Sequence, residues 1–216
     1  MLGLIFDLDG TLLNTLEDLT DATNYALAQF GCPARTLEEI RRVVGNGARN
    51  QICKSLPGKA DDPDPEQVLA VYKEYYNAHC QIKTRPYDGV LETLEKLAGK
   101  YPVAIVSNKP DTAVKPLCAA HFPGVYALGE TPDCPRKPAP DMVYKAMKDL
   151  QVDGCIYVGD SEVDIATAKN AGVPCLSVLW GFRDREVLEA AGGIHFCEIP
   201  GDMPAVIQAM EEAYGK

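Results

Sequence analysis

The stretch Leu2-Gly-Leu-Ile-Phe6, followed by Asp7-Leu-Asp9-Gly-Thr11, decides how the rest of the chain is arranged. Its apolar start is typical of a central strand that is buried on both faces of a parallel sheet. Side chains alternate along an extended backbone, so the two aspartates share one face. Neighbouring carboxylates repel each other unless a cation lies between them or one keeps its proton. This strand end therefore indicates a nucleophile, an acid/base and an anion-binding corner, although Asp-Leu-Asp-Gly alone also fits a simple turn.

The composition is that of an ordinary globular chain with an acidic surplus. A length of 216 residues allows one large domain or a domain with a smaller insert. No apolar run reaches the roughly 20 residues of a membrane helix, and the amino terminus lacks the features of a signal peptide. The 21 basic and 31 acidic residues give a net charge of −10, which argues against nucleic acid as a partner. We expect a soluble, cytoplasmic monomer or homodimer that binds neither nucleic acid nor membranes.

The cysteine pattern bears on metal binding. Eight cysteines are spread along the chain, none of them in a CxxC pair, and there are three histidines. This spacing disfavours a zinc site and favours reduced thiols in a reducing compartment.

The sequence has two regions with different patterns of predicted secondary structure. Residues 15–84 look helical, with capping-box patterns at Thr15/Asp18 and Thr36/Glu39 and a helix break at Gly45-Asn46-Gly47. From residue 84 onward, short β-rich runs alternate with helices, as in βαβ units. We predict these later elements as strands at Val103–Val106, 125–128, 156–158 and 175–179, and helices at about 88–99, 110–120, 139–150, 162–171, 184–190 and 203–213.

The first strand must join this later sheet, because a strand so short and apolar is not stable alone in water. The helical block is then an insertion at the carboxyl ends of the strands, where open α/β sheets bind ligands. Three later stretches carry polar side chains suited to that edge: Ser107-Asn108-Lys109, Lys137-Pro138, and Gly159-Asp160-Ser161 with Asp164 four residues after Asp160. Each stretch alone is also compatible with a helix cap or a turn.

Taken in order, the motifs DxDGT, SN, KP and GDSxxD resemble the four signature motifs of the haloacid dehalogenase-like superfamily, and the resemblance covers the whole chain. It implies an α/β fold with a Rossmann-like three-layer core, built on a parallel sheet, and an inserted all-helical cap. The expected boundaries are 1–14 and 85–216 for the core and 15–84 for the cap. The expected hinges are 14–16 and 83–86.

The resemblance implies a role for each matching position. Asp7 would be the nucleophile, Asp9 the general acid/base, and Lys137 the cation that neutralises nucleophile and phosphate. The remaining positions bind substrate or metal: Thr11, Ser107 and Asn108 would hold the phosphate, Asp7, Asp9 and Asp160 would hold Mg²⁺, and Asp164 would act on the metal directly or through water. An aspartate two residues after the nucleophile resembles the phosphatases and phosphomutases rather than the dehalogenases.

The insert resembles the small helical cap of the phosphoglycolate phosphatase branch. Asn46, Gly47 and Arg49 are its candidate substrate-binding residues, since an arginine can pair with a substrate carboxylate, although Arg49 also reads as an exposed helix residue. We expect an enzyme that hydrolyses a small phosphate monoester, preferentially 2-phosphoglycolate, through an aspartyl-phosphate. The alternatives are a phosphatase acting on pyrophosphate, a nucleotide or a sugar phosphate, a β-phosphoglucomutase-like phosphomutase, and a non-enzymatic phosphate-binding protein.

Overall fold

The computed structural model of the protein describes residues 1–214, which contain ten α-helices, eight β-strands and one short 3₁₀-helix. The strands are β1 Leu2–Phe6, β2 Leu13–Asn14, β3 Arg85–Pro86, β4 Val103–Pro110, β5 Tyr126–Glu130, β6 Gly154–Gly159, β7 Cys175–Val178 and β8 His195–Cys197. The helices are α1 Leu16–Gln29, α2 Leu37–Val43, α3 Gly47–Ser55, α4 Pro65–His79, α5 Val90–Ala98, α6 Asp111–His121, α7 Asp141–Leu150, α8 Glu162–Ala171, α9 Arg185–Ala190 and α10 Met203–Tyr214.

The main sheet is parallel and has β1 near its centre. Its strand order is β5-β4-β1-β6-β7-β8, so β1 pairs with β4 on one side and β6 on the other. Parallel neighbours need crossover connections, and helices between consecutive strands supply them. All strands therefore end at the same edge, where Asp7, Ser107 and Asp160 follow apolar residues. The predicted α/β fold with a parallel sheet is confirmed.

The core lies against both faces of this sheet. On one face Ile5, Ala104 and Tyr157 pack against Met142 and Val143 of α7 and against Ala168 of α8. Because side chains alternate along a strand, Leu4 and Phe6 point to the opposite face, where they are completely buried. Burial of β1 on both faces explains its almost continuous apolar sequence.

The chain forms two compact units. One contains Met1–Leu13 and the chain from Pro86 onward, and the other contains Asn14–Arg85. Short strands β2 and β3 pair where the chain passes between the two units. The second unit is built from α1 to α4, and its core includes Leu27, Ile52 and Val68, each fully buried.

Two helix starts in the second unit behave differently from each other. Thr36 and Glu39 form the predicted capping box at α2, in which Glu39 N donates to Thr36 Oγ1 and Thr36 N donates to Glu39. The box predicted at Thr15 and Asp18 is wrong, because the Thr15 side chain makes no capping hydrogen bond. The Asp18 carboxylate instead accepts hydrogen bonds from the backbone N–H groups of Lys83 and Thr84.

The sequence analysis also missed one strand of the main sheet. β8 pairs with β7 at the sheet edge, but it has three residues and follows Gly192-Gly193, which weakens any periodic pattern. Within residues 1–214, no helix is both long and apolar enough to cross a membrane.

Candidate active site

The site begins with an ion pair between Asp7 and Lys137. Asp7 follows β1 directly, and its backbone N–H still donates to Val158 O of β6 at 2.8 Å, which fixes where the side chain starts. Lys137 lies in the loop before α7, next to a cis peptide bond to Pro138. Its Nζ lies 2.7 Å from Asp7 Oδ1, and its side chain is 2% exposed. The predicted nucleophile and the predicted neutralising cation are therefore in direct contact.

Asp164 holds the same lysine from the other side. Lys137 Nζ donates to Asp164 Oδ1 at 2.8 Å, and the hydroxyl of the buried Tyr157 donates to this oxygen at 3.2 Å. The other oxygen, Oδ2, accepts from the backbone N–H and the hydroxyl of Ser161. Both oxygens of this fully buried carboxylate are thus engaged by the protein. Asp164 orients Lys137 toward Asp7.

Asp160 is held by two loops at the same edge of the sheet. Its Oδ1 accepts from Thr11 Oγ1 at 3.2 Å, and its Oδ2 accepts from the backbone N–H of Phe182 at 2.7 Å. The Trp180 indole donates to Thr11 O at 2.9 Å and so ties the loop after β7 to the loop after β1. The Thr11 side chain, predicted to hold phosphate, is completely buried and has its hydroxyl directed at Asp160.

Burial and mutual repulsion shift the pKa values of these groups. Burial raises the pKa of Asp7 well above its usual range, the charges of Asp164, Asp160 and Asp9 add to this effect, and Lys137 opposes it. Burial and Asp164 raise the pKa of Asp160 to about 7, against the hydrogen bond from Phe182. For Lys137, burial opposes the charged form, but Asp164 and Asp7 outweigh it and raise the pKa of the ammonium group. The site therefore has more negative charge than its own cations neutralise.

The same carboxylates could hold a divalent metal ion. One oxygen from each of Asp7, Asp160 and Asp164 can be chosen so that all three lie within 4.8 Å of one another. Oxygen-only ligands suit a hard cation such as Mg²⁺, and a cation would relieve the repulsion that raises their pKa values. Asp160 and Asp164 both accept hydrogen bonds at each of their oxygens, so a bound cation would share these carboxylates with their present donors. The Asp9 carboxylate, predicted as a metal ligand, lies outside this group.

Asp9 instead faces the end of β4. Lys109 Nζ lies 3.0 Å from Asp9 Oδ1, and Ser107 Oγ lies 3.5 Å from Asp9 Oδ2. Asn108, between them, donates from Nδ2 to Lys137 O at 3.0 Å and so links β4 to the lysine loop. The structure brings all the predicted residues of the core motifs to one edge of the sheet.

The three residues predicted in the insert belong to the second unit. Asn46 precedes α3, and Gly47 begins α3 with a φ of 80°, a left-handed value that favours glycine. Arg49 forms an exposed ion pair with Glu66 of α4, and more than half of each side chain is accessible. Their part in substrate binding stays a prediction.

Sequence reasoning missed two functional contacts. Tyr157 reads as an apolar strand residue, yet its hydroxyl reaches Asp164. The sequence shows Lys109 as a cation at a strand end without indicating its partner, although it follows Ser107 by two residues and therefore shares its face of the strand. That spacing was the available signal.

Fold and site together place a buried carboxylate cluster and its lysine at the carboxyl end of a central parallel strand. The haloacid dehalogenase-like hydrolase family matches residues 4–178, and the chain belongs to this family. It is therefore an enzyme, and the predicted resemblance is confirmed.

Among its relatives, Phosphoglycolate phosphatase 1 of Pseudomonas aeruginosa is 32% identical over 96% of this chain and 80% of its own length. The phosphoglycolate phosphatase of Thiobacillus denitrificans is 33% identical over 98% of this chain and 93% of its own length. A crystal structure from Lactobacillus delbrueckii subsp. bulgaricus has a TM-score of 0.88 at 37% identity and covers 95% of this chain and 97% of its own. The resemblance thus includes both units.

Proposed function

We propose that the protein is a Mg²⁺-dependent phosphatase that hydrolyses a small phosphate monoester, with 2-phosphoglycolate as the favoured substrate, through an aspartyl-phosphate. The observation that carries the proposal is the contact of Lys137 with Asp7, 2.7 Å from Nζ to Oδ1, beside a cluster of buried carboxylates. A carboxylate attacks a phosphate dianion only when the charge between them is screened. Lys137 provides part of that screening, and Mg²⁺ bound by Asp7 and Asp160 would supply the remaining positive charge.

In the first step, an Asp7 carboxylate oxygen attacks phosphorus in line with the ester bond. The phosphorus–oxygen bond to the substrate breaks, and Asp9 gives its proton to the departing oxygen. Asp7 then carries the phosphoryl group as an acyl phosphate. Lys137 stays beside the phosphoryl oxygens, because Asp164 fixes it from the far side at 2.8 Å.

In the second step, Asp9 takes a proton from water while the water oxygen attacks phosphorus. The bond between Asp7 and phosphorus breaks, which releases inorganic phosphate and restores the carboxylate. Backbone N–H groups near Thr11 and Asn108 and the Ser107 hydroxyl donate hydrogen bonds to the equatorial oxygens of the phosphoryl group. The same carboxyl group thus acts first as an acid and then as a base.

The substrate choice rests on the insert and on the relatives. Phosphoglycolate phosphatases match this chain along nearly its whole length, which supports 2-phosphoglycolate over pyrophosphate, nucleotides and sugar phosphates. Arg49 is the candidate partner for the substrate carboxylate, because guanidinium and carboxylate groups pair with two hydrogen bonds. Its exposed pair with Glu66 is weak enough to be exchanged for such a ligand.

The test is phosphate release from a panel of small monoesters, including 2-phosphoglycolate, with Mg²⁺ and with a chelator. Asp7→Asn removes the nucleophile and should abolish turnover of every ester. Asp153→Asn is the matched control, since Asp153 lies at the surface beside the amino terminus and should keep wild-type rates.

A kcat/KM for 2-phosphoglycolate that exceeds the other esters by orders of magnitude supports the specific substrate. Comparable activity on many esters leaves the phosphatase class and removes the preference. Phosphoryl transfer to a sugar phosphate without phosphate release indicates a phosphomutase. Wild type and Asp7→Asn equally inactive across the panel would overturn the proposal.

A further inference from the structure

Lys109 forms a second buried ion pair in the site, and the mechanism above gives it no part. Its Nζ lies 3.0 Å from Asp9 Oδ1, and the two side chains are only 5% and 13% exposed. Removing an ammonium group from water is strongly unfavourable, so a buried lysine needs a well-placed partner. This contact is therefore a fixed part of the site rather than a chance surface pair.

The end of β4 contacts both oxygens of Asp9. Lys109 contacts Oδ1, while Ser107 Oγ lies 3.5 Å from Oδ2. Ser107 Oγ also accepts a hydrogen bond from the backbone N–H of Lys109 at 3.2 Å. The strand end therefore sets both the position and the plane of the Asp9 carboxyl group.

The two lysines contact different carboxylates of the site. Lys137 contacts Asp7 and Asp164, with its Nζ 2.7 Å and 2.8 Å from their Oδ1 atoms. Lys109 contacts Asp9. The group that attacks phosphorus and the group that handles protons are thus held from different elements, the loop before α7 and the strand β4.

We infer that Lys109 is a positioning residue, which holds the Asp9 carboxyl group where it can pass a proton to the departing ester oxygen. This inference rests on the proposed function. Proton transfer needs the two oxygens at hydrogen-bond distance, and a displacement of about 1 Å can cost on the order of 100-fold in rate. Without Lys109, Asp9 loses the contact of Lys109 Nζ with its Oδ1, and its carboxyl group is held less firmly beside the ester oxygen.

The experiment measures kcat/KM for substituted phenyl phosphates and an alkyl phosphate, at saturating Mg²⁺, with wild type and Lys109→Met. These esters differ in how much the departing oxygen needs a proton. For each ester, kcat/KM reports the steps up to cleavage of the ester bond. Asp9→Asn shows the pattern expected when the proton donor is lost. Lys115→Met is the matched control, because Lys115 lies on α6 in an exposed pair with Asp111.

Lys109→Met should lose about 10- to 100-fold in kcat/KM for the alkyl phosphate and less than about threefold for p-nitrophenyl phosphate, whose departing oxygen needs no proton. Lys109→Arg, which keeps the charge, should recover part of the loss. The double variant Asp9→Asn/Lys109→Met should be no slower than Asp9→Asn alone, because Lys109 acts through Asp9. Thermal unfolding of each variant checks that it is folded.

An equal loss for all esters in Lys109→Met would overturn the inference, as would additive losses in the double variant. Should Lys109→Met not fold, the same comparison made with Lys109→Arg and Lys109→Gln decides in the same way. Failure of the proposed function looks different. In that case wild type releases no phosphate, or Asp9→Asn shows no dependence on the departing group.

Discussion

Asp164 is held by side chains from three other positions in the site. It is completely buried, and its oxygens accept hydrogen bonds from Lys137, Tyr157 and Ser161. A carboxylate with so many donors is stabilised in its charged form and holds them in place in turn. The orientation of Lys137 therefore depends on Tyr157 and Ser161, which hold Asp164, as well as on Asp164 itself.

Tyr157→Phe should remove one of these donors without leaving a large cavity. We expect the free energy of unfolding to fall by about 1 kcal/mol, since Asp164 loses one of its hydrogen bonds, and kcat to fall several-fold as Lys137 becomes less ordered. Denaturant unfolding and steady-state kinetics measure both effects. Tyr144→Phe, on the exposed face of α7, should change neither by more than experimental error. Identical behaviour of the two variants would contradict the prediction.

Asp160 should make the metal-free protein less stable as the pH rises. Its pKa is about 7 in the folded chain against 3.8 for an ordinary aspartate, so between these values the folded state binds more protons than the unfolded state. Stability that is present below pH 4 is then lost progressively up to about pH 7, by at most about 4 kcal/mol. Thermal unfolding in a chelator from pH 5 to pH 8 measures the slope.

Asp160→Asn has no proton to lose and acquires no charge as the pH rises, so the metal-free variant should show a flatter pH dependence and a higher Tm than wild type at pH 8. Added Mg²⁺ should raise the Tm of wild type at pH 8 and leave that of the variant unchanged. Equal slopes for wild type and variant would mean that Asp160 is not the titrating group.

At the level of elements, the loop after β7 completes the site by close backbone approach. Phe182 N donates to Asp160, and Trp180 donates to the loop that follows β1. Gly181 lies so close that a Cβ added there would be 2.3 Å from Asp160 Cβ and 2.5 Å from Gly10 O. Because Gly181 has no Cβ, the loop after β7 can approach both the loop after β1 and the Asp160 carboxylate.

Gly181→Ala should therefore disturb the site directly, because the backbone atoms around it cannot move aside cheaply. We expect a loss of about 2 kcal/mol or more in unfolding free energy and a fall of at least about tenfold in kcat/KM. Gly201→Ala is the control, since a Cβ at Gly201 meets nothing within 4 Å. An unaffected Gly181→Ala variant would show that the loop tolerates a shift.

The same elements show what the sequence could predict. Apolar runs that end in polar residues place Asp7, Ser107 and Asp160 at one sheet edge, because a parallel strand that is buried on both faces has an almost continuous apolar sequence. Contacts between residues that are distant in the chain produce no local pattern in the sequence. Asp18 fits the spacing of a capping box, yet it binds the backbone 65 residues away. The spacing of Lys109 from Ser107 shows that they share a face of the strand, but it does not identify Asp9 as the partner.

At the scale of the whole molecule, the chain leaves and re-enters the first unit at neighbouring points. Tyr87 N donates to Leu12 O at 3.2 Å, although 74 residues lie between them, and both belong to that unit. The first unit therefore holds the two ends of the insert together through its own hydrogen bond.

Replacing residues 14–85 with a short Gly-Ser linker should leave a chain that folds, because the linker joins ends that are already adjacent. We expect one cooperative thermal transition by circular dichroism. kcat/KM for 2-phosphoglycolate should fall more than that for p-nitrophenyl phosphate, since Arg49, the proposed partner of the substrate carboxylate, is lost. A product without a cooperative transition would show that the first unit depends on the second for its stability.

The hydrogen bond between Tyr87 and Leu12 also bears on how the inserted segment can change in evolution. Closing a loop costs free energy that grows only with the logarithm of its length, about 0.6 kcal/mol for each doubling. The segment inserted here can therefore become longer, become shorter or be exchanged during evolution with little change in the stability of the sheet. Substrate preference can then diverge among descendants while the chemical steps are inherited unchanged.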